Sequence, residues 1–473
     1  MLSEQNVTKA KPSLFSYLKE ALTGENQDYT AGSVRKAVFL LAIPMILEMC
    51  MESVFAVVDI YFVGKIGKNE AVAAVILTES VLAIVYSLAM GVSMAATAMV
   101  ARRTGEKNAE GASHAAMQSI LIALFFTILI SIAGILFAGE ILQIMGASSK
   151  TIEAGTPYAR LMLGGNIVIM FLFLINGIFR GAGNASIAMR SLWIANICNI
   201  ILCPLLIIYG LGPIPALGLV GAAVATNIGR GVGVIYQVYH LIKGKGVIKI
   251  RWEHIRPDFR VIRGLLNIAW SGTAQFLIAS ASWIVLARII SESGDAAVAA
   301  YGVTIRLMMF FILPAYGMSN AAATLVGQNL GAGRPERAEE SVWKTARYNT
   351  YFMAFVTVFF LVLAAPIVGF FNADPAVVAQ ATVALRIMSL GFILYGIGMV
   401  VTNSFNGAGD TRTPTVINIF GFWFFQLPMA YVLAITMGMG PNGVFTAIIV
   451  AECAITIAGI IIFKKGRWKK IKI

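Results

Sequence analysis

In the stretch "IPMILEMCMESVFAVVDIYFVG", residues 43–64, three carboxylates interrupt an apolar run: Glu48, Glu52 and Asp59. On a helix each residue turns by about 100°, so the three fall within roughly 40° of one another. They share that stripe with Phe55. An acid at a bilayer centre costs on the order of 2.5–3.5 kcal/mol on insertion scales, so the stripe is expected to face a cavity and not lipid. Clustered carboxylates repel, and at least one holds a proton near neutral pH unless a cation sits among them. A cluster that is either protonated or cation-bound supplies the chemistry of ion coupling. The structural alternative is that the acids are interfacial, or pair with a buried base and only hold helices together.

Other polar residues inside apolar blocks join the candidate set. Pro44 lies four residues before Glu48 and removes a backbone hydrogen bond there, either as a hinge or as a static kink. Asn196, Asn199 and Cys203 are spaced i, i+3, i+7 and share a helix face. Their amide oxygens can ligate Na⁺ or bond a protonated acid, or they can simply join helices. Thr226 adds a hydroxyl, and oxygen ligands from three spans suit a hard cation. In the second half Glu452, Gln275 and Arg306 are candidate substrate contacts; Arg306 and Glu452 can pair, or Glu452 can attract a cation. The 21 Met and 28 Phe suit an adaptable pocket, although ordinary packing accounts for most of them.

Enzyme chemistry finds no support. His114, His240 and His254 lie near loops and form no cluster, and Cys50, Cys198, Cys203 and Cys453 have no metal-ligand spacing. No cofactor is expected.

These residues must be positioned by membrane helices. Of the 473 residues, 58% are hydrophobic and 12% charged, where a soluble chain would carry roughly 25% charged residues. Mean hydropathy is +0.81. Blocks long enough to cross a bilayer predict twelve spans near 37–63, 70–100, 115–138, 157–180, 187–209, 216–242, 262–290, 296–326, 346–371, 383–406, 415–437 and 442–464. The fold class is all-α and integral to the membrane. The net charge of +13 comes from loops that follow alternate spans and from the tail, which is a topology signal and not a nucleic-acid footprint. It places both termini in the cytoplasm; the chain is expected in the cell (inner) membrane. Residues 1–34 are polar, so the first span is expected to act as its own insertion signal.

A shift of 226 residues aligns the chain with itself. "GVSMAATAMVARRTGEKNAEGA" (91–112) lies over "GMSNAAATLVGQNLGAGRPERA" (317–338), with fourteen identities across 71–112 and no gap. "FRGAGNAS" (179–186) lies over "FNGAGDTR" (405–412) at the same shift. The expected organisation is a cytoplasmic segment 1–34, an N-lobe 35–242, a basic linker 243–263, a C-lobe 264–464 and a basic tail 465–473. Two six-span halves of equal orientation imply a pseudo-two-fold axis along the membrane normal, an arrangement typical of secondary transporters. The positions matching Asp59, Glu52 and Glu48 are Val285, Ile278 and Ala274, so ion coupling is expected in the N-lobe alone.

Twelve spans in two halves, "GQNLGAGRPERA" after span 8, and "FRGAGN" with "FNGAGDTRTPT" after spans 4 and 10 resemble the multidrug and toxic compound extrusion (MATE) family. The resemblance implies a V-shaped pair of six-helix lobes and export of cationic or amphipathic compounds in exchange for inward H⁺ or Na⁺. In one branch of that family a proline and an aspartate of span 1 match Pro44 and Asp59; an Asn of span 5 matches Asn199 and a Thr of span 6 matches Thr226. That branch has an acid where Cys203 stands before Pro204, and the departure tilts the expected ion toward H⁺. A flippase for lipid or polysaccharide precursors is the alternative, but it calls for a strongly cationic cavity with several Arg inside spans, whereas the N-lobe spans carry acids and few Arg are expected deep. Small-molecule substrates, membrane lipid and a monomeric state complete the expectation.

Overall fold

The computed structural model describes residues 14–24, 28–64, 69–210, 212–213, 215–243, 246–371 and 374–473. The described residues form helices and no strand. A short helix α1 (Leu14–Thr23) precedes the first span, α2 (Val34–Gly64). Then follow α3 (Asn69–Gly105), α4 (Ala109–Ile144), α5 (Ser149–Gly164), α6 (Ile167–Gly181), α7 (Ala185–Pro204) and α8 (Leu219–Lys243). The second half contains α9 (Phe259–Ser291), α10 (Asp295–Gly331), α11 (Pro335–Phe371), α12 (Pro375–Ser389) and α13 (Phe392–Ala408). Its last two spans are α14 (Arg412–Asn418) continuing through α15 (Leu427–Tyr431), and α16 (Pro441–Lys464). Eleven helical segments are long and apolar enough to cross a membrane, and α12 with α13, bent by 56°, makes the twelfth span.

The repeat governs geometry as well as sequence. Helices α3 and α10 begin and end 226 residues apart. The α3–α4 and α10–α11 turns both need a left-handed residue, and it is Lys107 (φ 59°) in one and Gly333 (φ 69°) in the other. Spans 4 and 10 break at matching glycines. Gly165 lies against Asn227 of α8, and Gly391 lies against Ile449 of α16, too close in both cases for a side chain. Spans 5 and 11 loosen into π-helical turns at Leu205–Tyr209, Ile419–Gln426 and Val432–Thr436. Such widened turns are frequent at functional sites.

Within each lobe the same helices pack: α3 on α6 in one, α10 on α13 in the other. The lobes meet where α3 crosses α9 and α2 crosses α10. Small residues permit these crossings. Gly91 sits against the Ala269 carbonyl and Thr273, and Gly317 against the Met45 carbonyl, beside Pro44. Helix α2 runs through Pro44 without a break. Burial along these crossings is most complete at one end. Residues 321–330 of α10 are buried throughout, whereas Val298, Met309 and Phe310 are exposed, as are Val57 and Tyr61 of α2.

The tight end carries the arginines. Arg337 donates to the carbonyls of Gly32 (2.8 Å), Ala31 (2.8 Å) and Tyr29 (3.1 Å), and Arg334 to that of Thr30. The linker is pinned to α4 by Gln118, which donates to the carbonyls of His254 and Arg256 and accepts from the Asp258 amide. Asp258 caps α9, and the Val261 and Arg260 amides hold its carboxyl below the usual range.

The tail also docks. Trp468 is fully buried and stacks on Phe463 at 4.6 Å, and Lys469 pairs with Glu339 at 2.6 Å. Arg102 of α3 donates to the carbonyls of Ala408 (3.2 Å) and Ile471 (3.1 Å), and Ile473 packs against the N-lobe core. The last residues therefore clasp both lobes. Removing Ile471–Ile473 deprives the buried Arg102 of one acceptor, a charge-assisted bond worth about 1.5–3 kcal/mol at most. The expected outcome is a loss of about 1 kcal/mol in thermal unfolding, with faster amide exchange across Arg467–Lys470.

Candidate functional site

Helix α2 presents Glu48 and Glu52 to α6, α7 and α8. Glu48 is 1% exposed. Its Oε1 accepts from Arg180 Nη1 at 2.9 Å and Asn176 Nδ2 at 3.0 Å, while its buried Oε2 has no partner among the described residues. Asn176 and Arg180 are four apart on α6 and so share a face. The Asn176 carbonyl in turn accepts from Ser191 Oγ of α7 (2.9 Å) and Gln237 Nε2 of α8 (2.6 Å). One buried network thus ties four helices.

One turn along, Glu52 Oε1 accepts from Arg230 Nη2 at 3.2 Å and its Oε2 from Asn196 Nδ2 at 3.2 Å. The Arg230 guanidinium, 2% exposed, lies over the rings of Phe55 (5.0 Å), Phe173 (5.7 Å) and Tyr86 (5.9 Å). Asn199 Nδ2 donates to Thr226 Oγ1 at 3.1 Å. The buried carbonyl oxygens of Asn196 and Asn199 have no hydrogen-bond partner among the described residues, and oxygens of this kind are what a hard cation takes. Cys203 is buried on the same face. The cations that neutralise Glu48 and Glu52 therefore belong to the chain itself. Burying such pairs costs several kcal/mol of desolvation, which good hydrogen bonding offsets. Asp59 lies on α2, but its side chain is outside the described residues.

The C-lobe differs. A cavity of about 180 Å³ lies among α9, α10, α13, α16 and the π turn of span 11, with Gln275, Tyr316, Tyr395, Met399, Phe422 and Glu452 in its wall. Gln275 Nε2 is committed to Asn406 Oδ1 (3.1 Å) and the Thr411 carbonyl (3.0 Å). Glu452 makes no hydrogen bond or ion pair among the described residues. A smaller adjoining space shares Met94, Tyr316, Asn403 and Asn406 with the first and reaches Arg180.

Arg306 is not part of this wall, which corrects the expectation from sequence. It is exposed on the same face of α10 as Met309 and Phe310, while Thr304, Leu307 and Met308 point inward. The helical period turns it away from Glu452, and the two form no ion pair. The reading by residue type also missed Arg180, Arg230, Asn176, Gln237 and Tyr395. Two signals were present. Arg180 sits inside the repeat motif "FRGAGN", and Arg230 lies mid-block in an apolar span, far from any loop.

The sequence profile of the MatE family matches residues 44–205 and 273–432, one stretch in each lobe. The chain belongs to the MatE family. Among its relatives is the probable multidrug resistance protein NorM of Thermotoga maritima, 24% identical over 92% of this chain and 94% of that protein. The multidrug export protein MepA of Staphylococcus aureus is 23% identical over 91% and 93%. A MATE solved in complex with MaL6 superposes with a TM-score of 0.89 at 26% identity, covering 94% of this chain and all of that one. An outward-facing multidrug resistance MATE transporter superposes at 0.88 with the same identity and covers 94% and 99%. This MatE chain is a multi-pass membrane transporter of twelve helices in two lobes, and its family is one of transporters and not of enzymes.

Proposed function

We propose that this protein is a secondary antiporter that exports cationic or amphipathic compounds in exchange for inward H⁺ or Na⁺ by alternating access. The observation that carries the reading is Glu452, an acid with no counter-ion among the described residues, in a cavity walled by aromatic and thioether groups. A pocket of mainly apolar lining with one charged group is suited to an amphipathic cation. With the arginine-rich loops cytoplasmic, the tight end closes the inner side and the lobes open outward. Both termini are then inside the cell, in its inner membrane.

Coupling falls to Asp59, Glu52, Glu48, Asn196, Asn199 and Thr226 in the N-lobe, with Pro44 as the hinge. Glu48 and Glu52 already hold guanidinium partners, so any ion they exchange competes with Arg180 and Arg230. Cys203 supplies no hard ligand, which favours H⁺ over Na⁺. The flippase reading needs unpaired cationic groups for pyrophosphate, and both Arg180 and Arg230 are paired with acids. The chain works as a monomer and needs no cofactor or nucleic acid.

Reconstitution into proteoliposomes tests this. Ethidium should move when a pH gradient is imposed, and less or not at all under a Na⁺ gradient alone. Ethidium flux that ignores both gradients would remove the antiport reading.

A further inference from the structure

The linker between the lobes is fixed from beneath and bare on its outer side. Ile248 is buried, the Lys249 amide donates to Ser113 Oγ at 3.0 Å, and His254 Nε2 lies 2.6 Å from Glu110 Oε1. With Gln118 these contacts hold the linker on α4. What they turn outward is aromatic and basic. Trp252 is 88% exposed and Phe259 80%, with Ile255 exposed between them. Arg256, Arg260 and Arg263 are exposed in the same stretch, and their side chains make no hydrogen bond or ion pair among the described residues. Five basic residues stand against two acids from Lys249 to Arg263, and one of those acids, Asp258, is occupied in capping α9.

We propose that this strip is a docking surface for anionic phospholipid of the inner leaflet. Arg256, Arg260 and Arg263 take the headgroup charge, and the rings of Trp252 and Phe259 lie among the headgroups. The helical period decides for lipid over a soluble partner, because it runs the strip into the bilayer. Phe259, Arg263, Leu266, Trp270, Leu277 and Ile284 fall within about 60° of one another on α9, and all six are exposed. From Leu266 onward that face is the side of a membrane span open to acyl chains. The arginines stand where it leaves the hydrocarbon, within reach of phosphate by extending their stems along it. Aromatic rings favour the same level. A basic cluster next to a span gains about 1 kcal/mol per residue from an anionic leaflet. The linker is pinned to α4 of the N-lobe and opens α9 of the C-lobe, so a lipid bound along it touches both lobes. The inner leaflet enters through the cytoplasmic placement of the linker in the reading above.

The test reads lipid contact and not transport, so its failure leaves the export reading standing. Full-length protein is placed in phosphatidylcholine nanodiscs, with or without phosphatidylglycerol as about a third of the lipid. Phosphatidylglycerol should slow amide exchange across residues 249–263 by about three- to tenfold. Arg256→Gln/Arg260→Gln/Arg263→Gln should lose that slowing, while Lys464→Gln/Lys465→Gln/Lys472→Gln, at the basic tail, should keep it. Glycerol phosphate added to phosphatidylcholine discs should not reproduce it. Potassium chloride at about 1 M, where the Debye length is about 3 Å, should cancel it in wild type, so the claim is decided even where the triple arginine variant does not fold. Phosphatidylcholine brominated near the top of its chains should quench the fluorescence that Trp252→Phe removes. Equal exchange with and without phosphatidylglycerol, or slowing that survives the arginine variant or the salt, would overturn the proposal. Slowing by glycerol phosphate alone would make the strip a free-anion site. A Trp252 signal untouched by bromine would put the ring in water and give the surface to a soluble partner. Either result would overturn the lipid assignment.

Discussion

Glu452→Gln should lower ethidium efflux by about ten- to a hundredfold while leaving the fold intact. The magnitude follows from what the carboxylate supplies. An interaction with a charged group in a partly desolvated site is worth about 1.5–3 kcal/mol, and each 1.4 kcal/mol is tenfold in affinity. The aromatic and thioether wall of Tyr316, Tyr395, Met399 and Phe422 remains and keeps the residual affinity. Glutamine has the same size, so packing around α16 is preserved. Glu452 also has no ion-pair partner among the described residues, so replacing it removes a half-buried charge whose partial desolvation no ion pair offset. The variant should therefore melt no lower than the wild type. A neutral amphipathic substrate should be exported at an unchanged rate. The decisive measurement is the pair of transport rates in the same proteoliposomes, together with the melting midpoint. Equal loss for charged and neutral substrates would mean that the residue shapes the cavity and does not recognise charge.

Arg180→Met should destabilise the protein by about 3–5 kcal/mol, because it strands Glu48 as a buried carboxylate. Glu48 is 1% exposed and its Oε2 already lacks a partner, so Asn176 alone would remain to satisfy it. The double variant Glu48→Gln/Arg180→Met removes the stranded charge and should recover most of the loss. A double-mutant cycle on denaturant unfolding should thus give a coupling of a few kcal/mol. Additive single effects would show that Arg180 acts through its other contact, Ser93 Oγ at 3.4 Å, or through packing. The outcome bears on mechanism. A strongly coupled Glu48–Arg180 pair is a structural pin between α2 and α6, which leaves ion exchange to the rest of the stripe.

Much of the architecture was legible before any coordinates. Twelve spans, two halves and the 226-residue offset follow from block length and self-similarity, and the structure repeats them down to the turn residues Lys107 and Gly333. That Glu48 and Glu52 share one face of α2 was legible as well, since they lie one helical turn apart and each finds a polar partner on α6, α7 or α8. The docked tail was not legible. Its lysines and Arg467 read as a solvated basic segment, while Trp468 and Ile473, the residues that anchor it, are too few to set a period.

The sequence by itself determined which segments cross the membrane, how they are duplicated and which polar residues had to avoid lipid. Local periodicity and hydrocarbon thickness suffice for that, because they act on each helix separately. Only the tertiary structure decided the electrostatic state of those residues. Arg180 reaches Glu48 across 132 positions and Arg230 reaches Glu52 across 178, whereas Arg306 turns away from Glu452. Whether a buried carboxylate carries a partner depends on separations of about 3 Å between helices distant in sequence. No spacing within one helix encodes such a separation, and in a medium of low dielectric it decides whether a charge is a pin or a binding site.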